Sequence, residues 1–321
     1  MPVVKAKYGA TYADVAKVME LVSKRVRFIE IYQETASISA NQQATLLSFQ
    51  VPSGYAMEVF AVGIIPDYNP STGVSDLQYV YFQEASKRAI PNLEFYANFY
   101  YNSLPYGNEA CKQGMRQFDT PLKPNNLTLK FNEKETFQMI GVAGSTGAGA
   151  ITAVAKAFLL EEADVQSIYG CGLKEFANLP GGHNNPDQNF LYAGRFTNAN
   201  NTAGTGVWED VAQLTVQPWQ RLMFTHIGVK PGANSYKLKI FDEKTKLEFP
   251  DREPFWIIKE TANTLPFGGQ DSYQPVQPLP LPIAAYEWND TVLHFYHADT
   301  GAAVSAGELK IQVFGIQRRV R

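Results

Sequence analysis

The sequence predicts an all-β chain made of two similar halves that follow an amphipathic helix. After about residue 44, short apolar or alternating runs rich in Val, Ile, Phe and Tyr are separated by Pro and Gly. Two series of these runs correspond to each other, and only one stretch has clear helical periodicity. With 321 residues, of which 45% are apolar, the chain can bury a large core without metals or disulfides. This composition excludes a disordered chain, a collagen and a disulfide-rich miniprotein.

The first element is a predicted helix over 11–27. Its apolar residues recur at spacings of three and four, at Val15, Val18, Met19, Val22 and Val26. This apolar stripe would pack against the β units. Alternatively, it would lie on a membrane surface or a partner, with Lys17, Lys24 and Arg25 near anionic groups.

The remaining elements are predicted strands. In the first half they cover 46–51, 57–65, 77–82, 93–101, 127–131, 136–142 and 153–160. In the second half they cover 211–216, 222–229, 236–241, 255–258, 291–296 and 309–316. Between the two series, 165–207 is rich in Gly and Asn, which predicts a long connection.

The two series match as an internal repeat. Segment 49–66 aligns on 214–231 without gaps at an offset of 165, which matches Val51, Gly63 and Pro66 with Val216, Gly228 and Pro231. Segment 82–91 aligns on 241–250 at an offset of 159, which matches Phe82 and Glu84 with Phe241 and Glu243. Segment 102–107 aligns on 263–268 at an offset of 161. The repeat indicates that the second half is built like the first.

The repeat unit is about 120 residues long, far longer than a propeller blade or a solenoid rung, so each copy should be a sandwich with its own core. Eight strands fill such a unit, and we therefore predict two tandem eight-stranded jelly rolls. A fibronectin-like or immunoglobulin-like pair stays open, since pattern alone does not give the strand order. The predicted divisions are an arm with a helix (1–43), a first jelly roll (44–164), the connection (165–207) and a second jelly roll (208–321).

Catalytic, metal and cofactor motifs are not recognisable in the sequence, so we predict a chain that is not an enzyme and has no cofactor. Segment 144–149 reads GSTGAG, but the Lys and Ser/Thr of a phosphate loop do not follow. We interpret it as a turn that needs positive φ. His294 and His297 are three apart in a predicted strand and would face opposite sides. We predict that these two, His183 and His226 are structural.

Aromatic and acidic residues leave a carbohydrate function open. Carboxylates are numerous enough to supply a glycosidase pair. Aromatics could stack on sugars or bases, although strands also use them in cores; the candidates are Tyr96, Phe99, Tyr100, Tyr101, Trp208, Trp219 and Trp256.

Cellular context is indicated by several weak features. Cys111 and Cys171 are too few for a disulfide framework and are predicted to be free thiols. Charged residues interrupt the apolar positions after Lys7, so no signal peptide is predicted, and no window predicts a membrane span. The net charge is -3, which does not predict sequence-specific nucleic-acid binding.

Basic residues concentrate at both ends of the sequence. They are Lys5, Lys7, Lys17, Lys24, Arg25, Arg318, Arg319 and Arg321. Basic ends on an otherwise acidic chain predict that both ends face an anionic surface.

Two tandem β-barrels, a basic helical arm and the lack of a catalytic constellation together resemble the double jelly-roll major capsid proteins of tailless icosahedral viruses. The likeness is greatest to the smaller members found in membrane-containing bacteriophages. The resemblance implies a homotrimer, pseudo-hexagonal in outline, located in the virion and made in the host cytoplasm. It also implies that the basic residues face an internal membrane, and that neighbouring capsomers and minor capsid proteins are partners. The alternatives are a carbohydrate-binding or carbohydrate-active sandwich and a phage spike protein.

Overall fold

The computed structural model describes residues 27–66, 77–86, 89–96, 128–184, 190–249, 256–257, 276–285 and 292–319. Within these ranges the chain is mostly β, and a single α-helix is present. The predicted all-β class is therefore confirmed. The predicted helix over 11–27 lies outside the described residues, apart from Arg27, which begins the first strand.

In the described part of the first half there are eight strands: β1 (Arg27–Thr35), β2 (Gln43–Gln50), β3 (Tyr55–Pro66), β4 (Leu77–Glu84), β5 (Ala89–Tyr96), β6 (Leu129–Phe131), β7 (Thr136–Ala143) and β8 (Ile151–Glu161). They form one sheet in the order β1-β8-β3-β6 and a second run in the order β2-β7-β4-β5. Alternating residues of both point inward, and Phe82, Phe131 and Phe137 are fully buried between them. This arrangement is consistent with the predicted jelly roll.

Nine strands lie within the described ranges of the second half: β9 (Phe190–Thr197), β10 (Glu209–Thr215), β11 (Gln220–Lys230), β12 (Ser235–Asp242), β13 (Leu247–Phe249), β14 (Trp256–Ile257), β15 (Val276–Ala285), β16 (Val292–Asp299) and β17 (Lys310–Arg319). Their orders are β9-β17-β11-β15 and β10-β16-β12-β13, with β14 also paired to β12. Since β13 and β14 both pair with β12, they occupy the place that β5 has beside β4. The strand order of the first half is thus found again in the second.

Irregularities in the strands also recur at matching positions. The register of β3 shifts between Val59 and Ala61, and that of β11 shifts 165 residues further on, between Phe224 and His226. Two further shifts recur in the same way: 45–47 of β2 matches 210–212 of β10, and 77–79 of β4 matches 235–237 of β12. Because a bulge inserts an unpaired residue at one place in a ladder, three shared bulges align the halves residue by residue.

The shared bulges correct one predicted alignment. The burial pattern of β12 repeats that of β4 at an offset of 158, and not at the predicted 159. Glu84 therefore corresponds to Asp242 and not to Glu243. Both acids are buried at the end of their strand, where each accepts hydrogen bonds from the following turn.

The predicted connection over 165–207 contains regular structure. Helix α1 (Glu162–Tyr169) and a 3-10 turn (Phe176–Asn178) pack on the outer side of β3 and β8, where Val165 and Phe176 contact Ala56 and Leu160. Strand β9 follows and pairs along its length with β17. The Gly and Asn content of 165–207 predicted a loop. Phe190 and Tyr192 are nevertheless buried, and this apolar surface stabilises strand β9.

Three other strands differ from the sequence prediction. β1 lies in the predicted arm, and its alternation RFIEIYQET places Ile29 and Ile31 against the first core. β13, which is three residues long, was not among the predicted strands. β15 contains three prolines and pairs only with β11, at the end of its sheet, which is where a strand tolerates residues without an N–H group.

Candidate functional site

The two halves contact each other through β5 on one side and β9 and β17 on the other. β5 and β9 run parallel and pair at Leu93 and Ala193, which joins sheets of both halves into one eight-stranded sheet. Ala193 and Phe314 turn away from the second core and pack against the first one. The face of the β9–β17 pair that points away from the second core therefore covers the β5 side of the first core.

Polar groups fix this contact in register. The side-chain amide of Gln312 on β17 accepts a hydrogen bond from the backbone N–H of Tyr96 at 2.9 Å and donates to the carbonyl of Glu94 at 3.2 Å. Arg195 pairs with the Glu94 carboxylate at 3.0 Å, and its guanidinium lies 3.6 Å from the ring centroid of Tyr79. An arginine that is both paired and stacked holds two surfaces together with directional specificity.

The equivalent back surface of the first half, on β1 and β8, is exposed only in part, since Val154 is 2% exposed. Phe28 is 52% exposed and Tyr32 is 53% exposed. Phe28 makes an edge contact with Phe158, and Lys156 lies 3.8 Å from the carboxylate of Glu30. This surface combines exposed aromatic rings with a partly hydrated ion pair.

Strand direction places the two ends of the described chain on the same side of the molecule. The loops β1–β2 and β7–β8 bond to each other through Ile38 and Ala148, so β1 and β7 end on the same side. β5 runs with β7, because both are antiparallel to β4, and β9 runs parallel to β5. Strands β1 and β9 therefore begin at one end, which we call the base, and β8 and β17 finish there.

The predicted basic residues are only partly placed. Arg318 and Arg319 lie exposed at the end of β17, at the base, and the Arg319 guanidinium lies 5.6 Å from the Trp219 ring centroid. Arg27 is also at the base, 3.7 Å from Glu161. The other predicted basic residues, Lys5, Lys7, Lys17, Lys24, Arg25 and Arg321, lie outside the described ranges.

At the end opposite the base, the loops 198–208 and 300–309 are held together by a buried carboxylate. Asp299 accepts hydrogen bonds from the Thr202 hydroxyl and from the backbone N–H groups of Gly204, Gly206 and Gly301. Burial alone would raise the pKa of Asp299, but these bonds outweigh it and hold the pKa below its usual value. These four hydrogen bonds hold the two loops together through the Asp299 carboxylate.

The GSTGAG segment forms the corresponding loop of the first half. Gly147 has φ of 78°, and a Cβ there would lie 2.8 Å from the carbonyl oxygen of Ile38. Gly301, at the equivalent place in the second half, has φ of 95°. The positive φ predicted for the GSTGAG turn is confirmed at Gly147.

The four histidines are separate from one another. His183 bonds Glu135 at 2.9 Å, and His294 bonds Asp210 at 2.7 Å. His226 lies in β11. His297 is fully buried in the row that faces the second core, and within the described chain its two ring nitrogens have no hydrogen-bond partner. Burial lowers the pKa of His297 to about 4. No group of three or more His, Cys, Asp or Glu suited to a metal occurs among the described residues.

The aromatic candidates are distributed through the fold. Tyr96 is buried at the contact between halves, Trp219 is 47% exposed at the base, and Trp208 stacks with Lys239 on the outer side of the second half. Phe99, Tyr100 and Tyr101 lie outside the described residues, as does the side chain of Trp256. Cys171 is a free thiol, and Cys111 is also outside the described part.

A depression of about 750 Å³ near the base is lined by Gly54, Tyr55, Glu161, Glu162, Ala163 and Gln166. It is wide open to solvent. Among the helical residues that the structure describes, no helix is long and apolar enough to cross a membrane.

No protein-family model matches the chain, and no curated protein matches it. Among solved structures, it is similar to a crystal structure of the STIV MCP at 7% identity and a TM-score of 0.44, covering 92% of this chain and 97% of that one. It is also similar to an atomic structure of Sulfolobus Turreted Icosahedral Virus at 8% identity and 0.44, covering 92% and 91%. The CUB1-EGF-CUB2 domain of human MASP-1/3 matches at 10% identity and 0.22, covering 90% and 99%. At these scores the likeness identifies neither the family nor the function of the chain.

Proposed function

We propose that this chain is the major capsid protein of an icosahedral virus and that three copies form a pseudo-hexagonal capsomer. The observation that carries the proposal is the equivalence of the two halves, which share strand order and three bulges and point the same way across one continuous sheet. We infer that they are two jelly rolls that arose by internal duplication. Jelly rolls are a recurrent building unit of viral shells.

Two equivalent halves side by side suit a shell subunit for a geometric reason. Within one copy the halves meet through unlike surfaces, β5 on one side and β9 with β17 on the other, and a like contact between copies would join them head to tail. Such a contact closes into a ring if the rotation per step divides a full turn. Three copies give six half-units in the ring. The role proposed is structural, in the virion, with neighbouring capsomers and minor capsid proteins as further partners.

We further propose that the base faces an internal membrane. Arg318 and Arg319 lie at the base, and the segments that carry Lys5, Lys7, Lys17, Lys24, Arg25 and Arg321 attach to the chain there. Near an anionic leaflet each basic residue contributes roughly 1 kcal/mol. The virus would then be one with a lipid layer inside its shell, such as a membrane-containing bacteriophage.

The mass in solution tests the capsomer. Three copies of 35.7 kDa give about 107 kDa, and light scattering should find that mass at micromolar concentration, with hexagonal outlines in electron micrographs of the same fraction. A monomer at every concentration would contradict the capsomer. If that monomer binds glycans, and loses them when Trp219 is replaced by Ala, the carbohydrate-binding alternative is the better account.

Vesicle binding tests the orientation. The chain should sediment with vesicles containing anionic phospholipid and not with neutral ones, and 0.5 M salt should release it because salt screens exposed charges. Deletion of 1–26 should reduce binding at least tenfold while the unfolding temperature stays unchanged. Equal binding to neutral vesicles, or unfolding of the shortened chain, would contradict a membrane-facing base.

A further inference from the structure

The two cores differ in where their residues come from. The first core includes Phe190, Ala193 and Phe314, which belong to β9 and β17 of the second half. Within the part of the chain that the structure describes, the second core contains residues of the second half alone. We propose that the second half is the template on which the first half completes its fold, so that the first half becomes native only after the second. This one-way dependence concerns a single chain and does not require the proposed capsid function.

Strand β17 contacts both cores, because successive side chains of a strand point to opposite faces. Ile311 and Val313 are buried in the second core. Phe314 is buried in the first core, and Ile316 packs against that core. The side chains that face the first half therefore do not fill the second core. Without the first half, the second core would keep its packing, whereas the first core would lose part of its own without the second half.

Strand β5 also takes backbone hydrogen bonds from the second half. The Gln312 side chain accepts from the buried N–H of Tyr96 at 2.9 Å and donates to the carbonyl of Glu94 at 3.2 Å. The same amide donates to the carbonyl of Gly194 in β9 at 2.9 Å. A bond inside the second half thus fixes the orientation of Gln312 before β5 arrives. A surface that is ordered in advance loses less conformational freedom on binding, which suits the role of a template.

The dependence would delay the first half during synthesis of the chain. Gln312 follows Tyr96 by 216 positions. At about 5–20 residues per second, synthesis of that length takes about 10–40 s. Domains usually fold as units, beginning with the one synthesised first, but here the first half would wait for β17. A partial chain that stops before β17 therefore presents no finished first half.

Hydrogen exchange of the whole chain, measured by mass spectrometry of peptides from each half, tests the dependence. Met57 and Leu222 are equivalent at the offset of 165 and are buried in the first and second core. Met57→Ala should lower protection in β4 and β7 at least about tenfold and leave β12 and β16 within about twofold of the wild type. Leu222→Ala should lower protection in all four strands.

Two neighbouring residues of β17 give a second, matched comparison. Phe314→Ala shortens a side chain of the second half that fills the first core. Protection should therefore fall at least about tenfold in β4 and β7 and stay within about twofold in β12 and β16. Val313→Ala, on the opposite face of the same strand, should lower protection in both halves. A Phe314→Ala variant that loses protection equally in both halves would overturn the inference.

The wild type provides a measurement that needs no variant. In urea below the main unfolding transition, peptides of the first half should exchange together while those of the second half stay protected. Equal exchange in both halves, or a first half that stays protected while the second opens, contradicts the dependence. A Leu222→Ala variant that opens only the second half does so too. None of these results changes the mass expected in solution, so the capsid proposal is tested separately.

Discussion

His297 is a buried side chain whose protonation should control the stability of the second half. Its ring faces the second core beside Leu293 and Phe295 and has no hydrogen-bond partner among the described groups. Its pKa is about 4 in the folded chain, against about 6.5 in an unfolded one. The unfolded state therefore binds a proton first as pH falls. The contribution of His297 to the free energy of unfolding is therefore greatest above about pH 6.5. As the pH falls from about 6.5 to about 4, this free energy decreases by about 3 kcal/mol in total.

His297→Leu should remove most of this dependence on pH. Leucine has no proton to gain and is apolar like the surrounding core, so the difference in unfolding temperature between pH 7.5 and pH 5 should shrink relative to the wild type. His294→Gln is a control of opposite sign. Burial alone would lower the pKa of His294, but Asp210 and Glu243 raise it overall, so His294 stabilises the fold in acid. A His297→Leu variant as acid-sensitive as the wild type would contradict this account.

Individual residues show what sequence reasoning can and cannot resolve. Identical letters aligned Glu84 with Glu243, one position away from the structural match at Asp242. Gly147 and Gly301 both have positive φ, which few other residue types adopt, so glycine at such a place indicates a turn. The contact of Arg195 with Glu94 and Tyr79 could not be predicted, since it depends on strand pairings that no local pattern encodes.

At the scale of elements, the turns that follow β4 and β12 offer a test of equivalence. Glu84 accepts bonds from the backbone N–H groups of Ser86 and Thr136, and Asp242 accepts them from Lys244 and Thr245. Replacing either acid by Ala leaves donors unpaired, which costs about 1–3 kcal/mol. Glu84→Ala and Asp242→Ala should therefore destabilise the chain by similar amounts, measured by urea unfolding.

The double variant should lose the sum of the two single losses, because the turns lie in different halves and share no partner. Glu308→Gln, an exposed acid in another loop, should change little. If only one of the two acids matters, the turns are not equivalent.

Elements with strong alternation were predictable, and those shaped by their neighbours were not. β3 is a nearly continuous apolar run, and β12 alternates apolar and polar residues; these two strands and β7 were predicted near their observed bounds. β9 was missed because glycine and asparagine surround it, although pairing with β17 holds it in place. β15 was not predicted because its prolines disfavour a strand. A strand at the edge of a sheet tolerates proline, since the N–H groups on its outer side have no partner in the sheet.

At the scale of the whole molecule, the repeat was predictable and the arrangement of the halves was not. Matching letters at an offset of 165 predicted that the second half resembles the first. The joining of sheets through β5 and β9, and the covering of one half by the back of the other, depend on contacts between residues 100 or more positions apart. Sequence periodicity indicates local secondary structure and does not predict such contacts.

At the same scale, the equivalence of the two halves supports one central proposal, that three copies build a capsomer of six half-units. Electron cryomicroscopy of the purified assembly tests it most directly. We predict a closed ring of three copies in which the two halves of each copy alternate as six similar half-units around the axis, all with the base on the same side. A two-fold dimer, or copies that form no closed ring, would contradict this proposal.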